Sequence, residues 1–87
     1  MRIVWDEPKR RSNLAKHGLD FAALNDEFFA GALIRPGHGN RFLAIGRLDH
    51  ILVVAAVFRP LGSEAISIVS MRPASHLERR LYDRQED

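Results

Sequence analysis

Eight consecutive apolar residues, 51–58, form the stretch that most restricts how this chain can fold. Both alternating sets of side chains in the run are apolar, so a strand built from it needs cover on both of its faces. The run is also far shorter than the roughly 18 apolar residues that span a membrane. We therefore predict that residues 51–58 form the central strand of a sheet.

Two further strands are expected beside this central one. Residues 41–47 alternate in character before a turn at Asp49 and His50, and residues 64–71 follow a turn over residues 60–63 that contains proline and glycine. Strands joined by such short turns form an antiparallel meander. Residues 2–5 predict a short first strand, with Ile3 and Trp5 on one face, and residues 32–35 predict an edge strand.

The remaining segments carry helix signals. Asp6 is a plausible N-cap for a first helix that ends at Gly18, and Asp20 can cap a second helix that ends at Gly31. In the second helix, the apolar residues Phe21, Leu24 and Phe28 recur at helical spacing and are expected to be core residues.

A third helix is predicted at the end of the chain. Ser75 and Glu78 form the S-x-x-E pattern of a capping box, and Leu77 and Leu81 are expected to face the core. The predicted class is therefore α+β: a short N-terminal strand, two helices, a three- to four-stranded antiparallel sheet and a C-terminal helix. We expect the helices to pack on one face of the sheet, in a single domain over residues 1–87.

Composition narrows the functional classes only a little. The 87 residues hold 13 basic and 11 acidic side chains and no cysteine, which excludes disulfides and thiolate zinc sites. The chain starts without the apolar segment of a signal peptide, so we expect a cytoplasmic protein. No residues have the spacing of a helical zinc site or a phosphate loop, and no cofactor is expected.

Basic residues concentrate near both ends of the chain, so two basic patches could flank one groove and bind a polyanion. The first patch contains Lys9, Arg10, Arg11 and Lys16, and the second contains Arg72, Arg79, Arg80 and Arg84. Side chains of this kind suit metal-free RNA cleavage, in which a base and an acid exchange protons and cations stabilise the phosphorane. Each also has a plainer explanation, for example a salt bridge from Arg72 to Glu64 or Glu78, a helix-end role for His17, or simple packing for Tyr82.

The order and spacing of several short motifs resemble those of the BrnT family of toxins. These motifs are Trp5-Asp6, Pro8-Lys9, Asn13-Leu14, Lys16-His17-Gly18, Phe21 to Phe28, Arg41-Phe42, Ile45-Gly46, Leu52-Val53-Val54, Arg59, Ile68-Val69-Ser70, Arg72, Ala74, Glu78-Arg79 and Tyr82. The resemblance covers essentially the whole chain. It departs from the family pattern at Ser67, where an arginine is usual, and at Pro73, where a lysine or arginine is frequent.

The resemblance implies a RelE-like ribonuclease fold and an endoribonuclease that arrests translation as the toxin of a type II toxin-antitoxin system. It also implies neutralisation by a cognate BrnA-like antitoxin, with operator DNA bound only through the antitoxin complex. Carried over position by position, the resemblance implies functional roles for Lys16, His17, Arg59, Arg72, Glu78, Arg79 and Tyr82. Together with the basic residues of the chain, the expected catalytic residues are Arg59, Arg72, Arg79, His17 and Tyr82, and the expected substrate-binding residues are Lys9, Lys16, Arg47 and Arg80.

The alternative hypothesis is a non-catalytic nucleic-acid-binding module that uses the same basic patches. The first two helices, joined near Gly18, faintly resemble a helix-turn-helix, but Asp26 and Glu27 would make the second a poor recognition helix. A binding module should show salt-dependent affinity without forming a product.

Overall fold

The computed structural model describes residues 1–50 and 52–86, and one five-stranded sheet organises them. The strands are β1 (Arg2–Trp5), β2 (Leu33–Pro36), β3 (Phe42–Leu48), β4 (Leu52–Leu61) and β5 (Ala65–Pro73). The helices are α1 (Glu7–His17), α2 (Asp26–Gly31) and α3 (His76–Glu86), with one 3-10 turn over Phe21–Ala23. The α+β class is confirmed. Ile51, which the sequence places in the central strand, lies outside the described residues.

The strand order is β1-β5-β4-β3-β2. Strands β2 to β5 pair antiparallel as the meander predicts, whereas β1 pairs parallel to β5 over Ala65–Ile68. The sheet therefore has five strands rather than three or four, because the short first strand joins it. The predicted central strand, β4, lies third of five.

One face of the sheet carries the main core. Ala44, Ala56 and Met71 form a row across β3, β4 and β5, and all three are fully buried beneath Phe21, Phe28 and their neighbours. Gly46 is needed here, because a Cβ at this position would lie 2.7 Å from the Phe28 ring. Helix α2 can pack this close to β3 only against a glycine.

The opposite side of the sheet, here called the second face, is partly covered by α3. Successive strand residues alternate between faces, so the adjacent row of Ile45, Ala55 and Arg72 belongs to the second face. Arg72 pairs with Glu78 of α3, and the Arg47 guanidinium lies over the Tyr82 ring. The expectation that all helices pack on one face is therefore wrong: α3 lies on the second face, which the double-sided apolar pattern of β4 requires.

The second predicted helix is interrupted. Asp20 caps only the 3-10 turn, accepting a hydrogen bond from the Ala22 N–H at 3.0 Å, and Asn25 then caps α2. Phe21, Leu24 and Phe28 are all buried as expected. The break occurs because the Asp20 and Asn25 side chains each cap a separate start, one for the 3-10 turn and one for α2. The apolar stripe remains buried although the helix is not continuous.

The orientation predicted for α3 is also wrong in part. Leu77 is 65% exposed and Leu81 is half-buried, whereas Tyr82 is buried, alone among residues 76–85 of this helix. Glu78 and Tyr82 are four residues apart and therefore share one helix face. The pairing of Glu78 with Arg72 turns that face, rather than the one bearing Leu77, toward the sheet.

Candidate active site

A basic groove lies between α1, the start of β3 and the middle of β5. Its volume is about 390 Å³. The residues that line it are Lys9, Ser12, Asn13, Lys16, His17, Arg41, Val69 and Ser70. Within the described part of the chain, no carboxylate lies among these lining residues. The groove therefore offers cations, one imidazole and hydroxyl groups to whatever enters it.

Helix α1 supplies most of the residues that line the groove, and a cap fixes each of its two ends. The Asp6 carboxylate accepts a hydrogen bond from the Lys9 N–H at 3.3 Å, and the helix ends at Gly18, which has a left-handed φ of 69°. Both capping predictions are confirmed. Lys9, Asn13 and Lys16 are separated by four and three residues, so they form one stripe along the helix. His17 is the last helical residue, half-buried beside this stripe.

The neighbouring cation Arg10 does not line the groove. Its guanidinium contacts Glu7 at 2.6 Å and Asp20 at 3.2 Å, which ties α1 to the 3-10 turn. The hydrogen bond from Arg10, together with one from the Trp5 indole N–H, lowers the pKa of Glu7 to about 2. The N-terminal basic patch is thus divided: Lys9 and Lys16 line the groove, while Arg10 forms salt bridges that hold α1 to the 3-10 turn.

Arg72 and Glu78 form a two-point salt bridge. The Arg72 Nη1 and Nη2 atoms donate to the two Glu78 carboxylate oxygens at 2.7 and 2.9 Å. The same carboxylate accepts a hydrogen bond from the Ser75 N–H at 2.8 Å, and Ser75 Oγ accepts one from the Glu78 N–H at 3.1 Å, so the predicted capping box is confirmed. These contacts, that of Arg72 first, lower the pKa of Glu78 to about 2.

The other predicted site residues lie outside the groove. Arg47 and Tyr82 line a separate pocket of about 320 Å³, where the guanidinium carbon is 5.8 Å from the ring centroid. Arg59 is exposed on β4 opposite Ser67, on the second face by alternation. Arg79 and Arg80 are exposed on α3.

The structure thus brings together three of the nine predicted residues, Lys9, Lys16 and His17, and adds others that the sequence reasoning did not assign to a site. Arg41, directly before β3, and Ser70 of β5 are distant in sequence from α1, and Asn13 comes from the helix itself. The available signal for Arg41 was its position as a basic residue directly after the glycine-rich loop. The apolar pattern did not indicate that Asn13 is buried.

Two negative findings concern the described residues. No group of three His, Cys, Asp or Glu side chains in residues 1–50 and 52–86 is arranged to hold a metal ion. Among the same residues, no helix is long and apolar enough to cross a membrane.

The fold and the groove together define a small α+β protein with a cation-lined groove. The family model described as ribonuclease toxin, BrnT, of type II toxin-antitoxin system matches residues 5–78. The chain therefore belongs to the BrnT family of ribonuclease toxins, as the sequence motifs indicated.

A solved structure agrees with this assignment. The crystal structure of the Brucella abortus ribonuclease toxin BrnT is 53% identical in sequence and superposes with a TM-score of 0.83. The match covers 87% of this chain and 99% of the Brucella chain. The comparison with curated proteins gave no significant match.

The salt bridge between Arg72 and Glu78 leads to a prediction about acid stability. Because the folded-state pKa of Glu78 is about 2, below its usual 4.5, the ionised carboxylate stabilises the fold fully above pH 4.5. That stabilisation is lost as the pH falls toward 2. Arg72 is 43% exposed, so we expect Glu78→Gln to lower the free energy of unfolding at pH 7 by only about 1 kcal/mol.

Urea unfolding of both proteins at pH 7 and pH 2.5 measures this effect. The difference between parent and variant should shrink at the lower pH. The matched control is the same substitution in an Arg72→Met background, where the difference at pH 7 should already be small. An equal difference at both pH values would show that the carboxylate contributes through shape and not through its charge.

Proposed function

We propose that this protein is a metal-independent endoribonuclease toxin whose cleavage site is the basic groove. The observation that carries the proposal is that α1 places Lys9, Lys16 and His17 beside Arg41 and Ser70 in one cavity. Membership of a ribonuclease toxin family supports the reaction class. The chemistry of the lining supports metal independence, because cations without a carboxylate repel a divalent metal and can themselves stabilise phosphate charge.

The reaction divides into two proton transfers around one phosphorus atom. The 2′-oxygen of the substrate attacks phosphorus as its proton passes to a base, and the bond from phosphorus to the 5′-oxygen breaks as that oxygen receives a proton from an acid. His17 is the proton carrier that we assign to the groove. Lys9, Lys16 and Arg41 stabilise the extra negative charge on the phosphorane.

The remaining predicted residues have different roles in this proposal. Arg59 faces the same side of the sheet as Arg72 and can extend the positive surface beyond the groove, as can the exposed Arg79 and Arg80. Tyr82 is only 5% exposed and lies in the separate pocket with Arg47. We therefore assign these two residues to packing of α3 against the sheet and not to proton transfer.

The principal prediction concerns His17. Purified protein with a chelator present should cleave single-stranded RNA, and His17→Ala should lower the cleavage rate by roughly 10²- to 10⁴-fold, the range for loss of a proton carrier. His50→Ala is the matched control, because His50 is 86% exposed and lines the other pocket. The measurement is a single-turnover assay with an end-labelled RNA.

Three outcomes are distinct in that assay. Cleavage that needs added metal would contradict the proposed mechanism. Binding without any product, also in a translating extract that supplies ribosomes, would instead favour a non-catalytic binding module. Full activity of His17→Ala would place the proton carrier elsewhere.

Arg72 gives a second prediction, because Glu78 competes for its guanidinium. If Arg72 contacts substrate phosphate, Glu78→Gln should free the guanidinium and tighten RNA binding several-fold, and Arg72→Ala should weaken binding and reduce the salt dependence by about one phosphate contact. Fluorescence anisotropy against salt concentration measures both effects. Glu64→Gln, which removes the same charge in the exposed turn before β5, is the control and should leave affinity nearly unchanged.

The partner is proposed to be a BrnA-like antitoxin that covers the groove with an acidic segment and supplies any contact with operator DNA. The support is the family's description as part of a type II toxin-antitoxin system, together with the positive charge of the groove. Charge complementarity of this kind mainly sets the association rate and specificity.

Charge reversal tests this mode of neutralisation. The Lys9→Glu/Lys16→Glu variant should lose affinity for both RNA and antitoxin, whereas Arg84→Glu, on the exposed part of α3, should retain both. Calorimetric titration of each variant with the antitoxin gives the comparison. Unchanged antitoxin affinity in the double variant would show that neutralisation does not use the groove.

A further inference from the structure

Asn13 is a buried polar side chain in a helix that otherwise lies on the surface. It is only 8% exposed, whereas the adjacent Leu14 is 38% exposed. Its amide uses both ends: Nδ2 donates to the Leu19 carbonyl oxygen at 3.1 Å, and Oδ1 accepts from the Met71 N–H at 3.1 Å. A buried amide satisfied on both sides joins two backbone segments that are far apart in sequence.

The two segments lie on either side of the basic groove. Leu19 follows the last helical turn of α1, which carries His17, and Met71 follows Ser70 on β5. Strand β1 pairs with β5 only as far as Ile68, so the Met71 N–H lies beyond the reach of that strand and needs another acceptor. Asn13 supplies this acceptor, and Asn13 itself lines the groove.

We propose that Asn13 is a positioning residue that fixes the separation between the His17 turn and the Ser70 segment of β5. This inference deepens the proposed function and rests on it. Asn13 does not contact the reacting atoms in this scheme. It holds the proton carrier and the strand in register, because a displacement of about 1 Å in a catalytic group can cost 10²-fold in rate.

The side-chain chemistry explains why an asparagine is suited to this position. The site needs one donor and one acceptor aimed in different directions, and the backbone partners fix which end of the amide is which. An aspartate retains the acceptor for the Met71 N–H and loses the donor to Leu19. A leucine fills the space and leaves both backbone groups without a partner.

The experiment compares Asn13→Ser with the parent protein under conditions where circular dichroism shows both to be folded. A hydroxyl is too short to bridge both segments and adds no charge to the groove. We expect kcat for RNA cleavage to fall roughly 10- to 100-fold while KM changes less than about threefold, because Lys9, Lys16 and Arg41 remain. Phe28→Leu is the stability control. Phe28 is 5% exposed, packs against β3 and does not line the groove, so its variant should retain the parent kcat.

A second readout does not depend on cleavage. In nuclear magnetic resonance spectra, the imidazole signals of His17 and the amide signal of Ser70 should shift in Asn13→Ser, while those of His50 stay in place. If the parent cleaves no RNA, the proposed function fails and these spectra still decide the positioning role. Should Asn13→Ser not fold, Asn13→Gln replaces it, since its longer side chain keeps the neutral amide but moves both hydrogen-bonding ends out of place.

The inference is overturned by any of three results. These are an unchanged kcat in a folded Asn13 variant, an equal loss of kcat in Phe28→Leu, and unshifted signals from His17 and Ser70. A fall in kcat specific to Asn13 with shifted His17 signals supports it.

Discussion

The burial of β4 on both faces is the constraint on which the rest of this structure depends. Val54, Ala55 and Ala56 are completely buried although successive residues point to opposite sides. A strand of this kind cannot lie at a water-facing surface, so helices must lie on both sides of the sheet. The small side chains at the centre let those helices approach closely, and Gly46 beside Phe28 shows the same requirement on β3.

Three short helices cannot cover both faces of a five-stranded sheet, and the proposed site lies where this helical cover is missing. Helix α3 starts above Arg72 and extends toward Gly31, where the Gln85 side chain donates to the Gly31 carbonyl at 3.2 Å. Helix α1 instead runs along the part of β5 that β1 leaves unpaired. The groove forms where α1 meets β5 without a further layer above it, so backbone pairing determines where the groove lies.

Local signals predicted the elements, whereas contacts between distant segments form the groove. The caps at Asp6, Gly18 and Ser75 were predictable because each depends on residues within four positions. The orientation of α3 was not, because the apolar spacing of Leu77 and Leu81 indicated a different inward face from the one that the Arg72–Glu78 pair selects, with Tyr82 buried and Leu77 exposed. Lys16 and His17 could be proposed from their neighbours in α1, while Arg41 and Ser70 join them only through the register of the sheet.

The distribution of ion pairs explains how a chain with a net charge of only +2 presents a basic groove. Arg10 and Arg72 are bound by the carboxylates of Glu7, Asp20 and Glu78, and these pairs fix α1 and α3. Lys9, Lys16 and Arg41 line a cavity to which the described residues contribute no carboxylate. Acidic residues thus neutralise the structural arginines and leave the groove's charge uncompensated. The local potential at the groove depends on that division far more than on the net charge of the molecule.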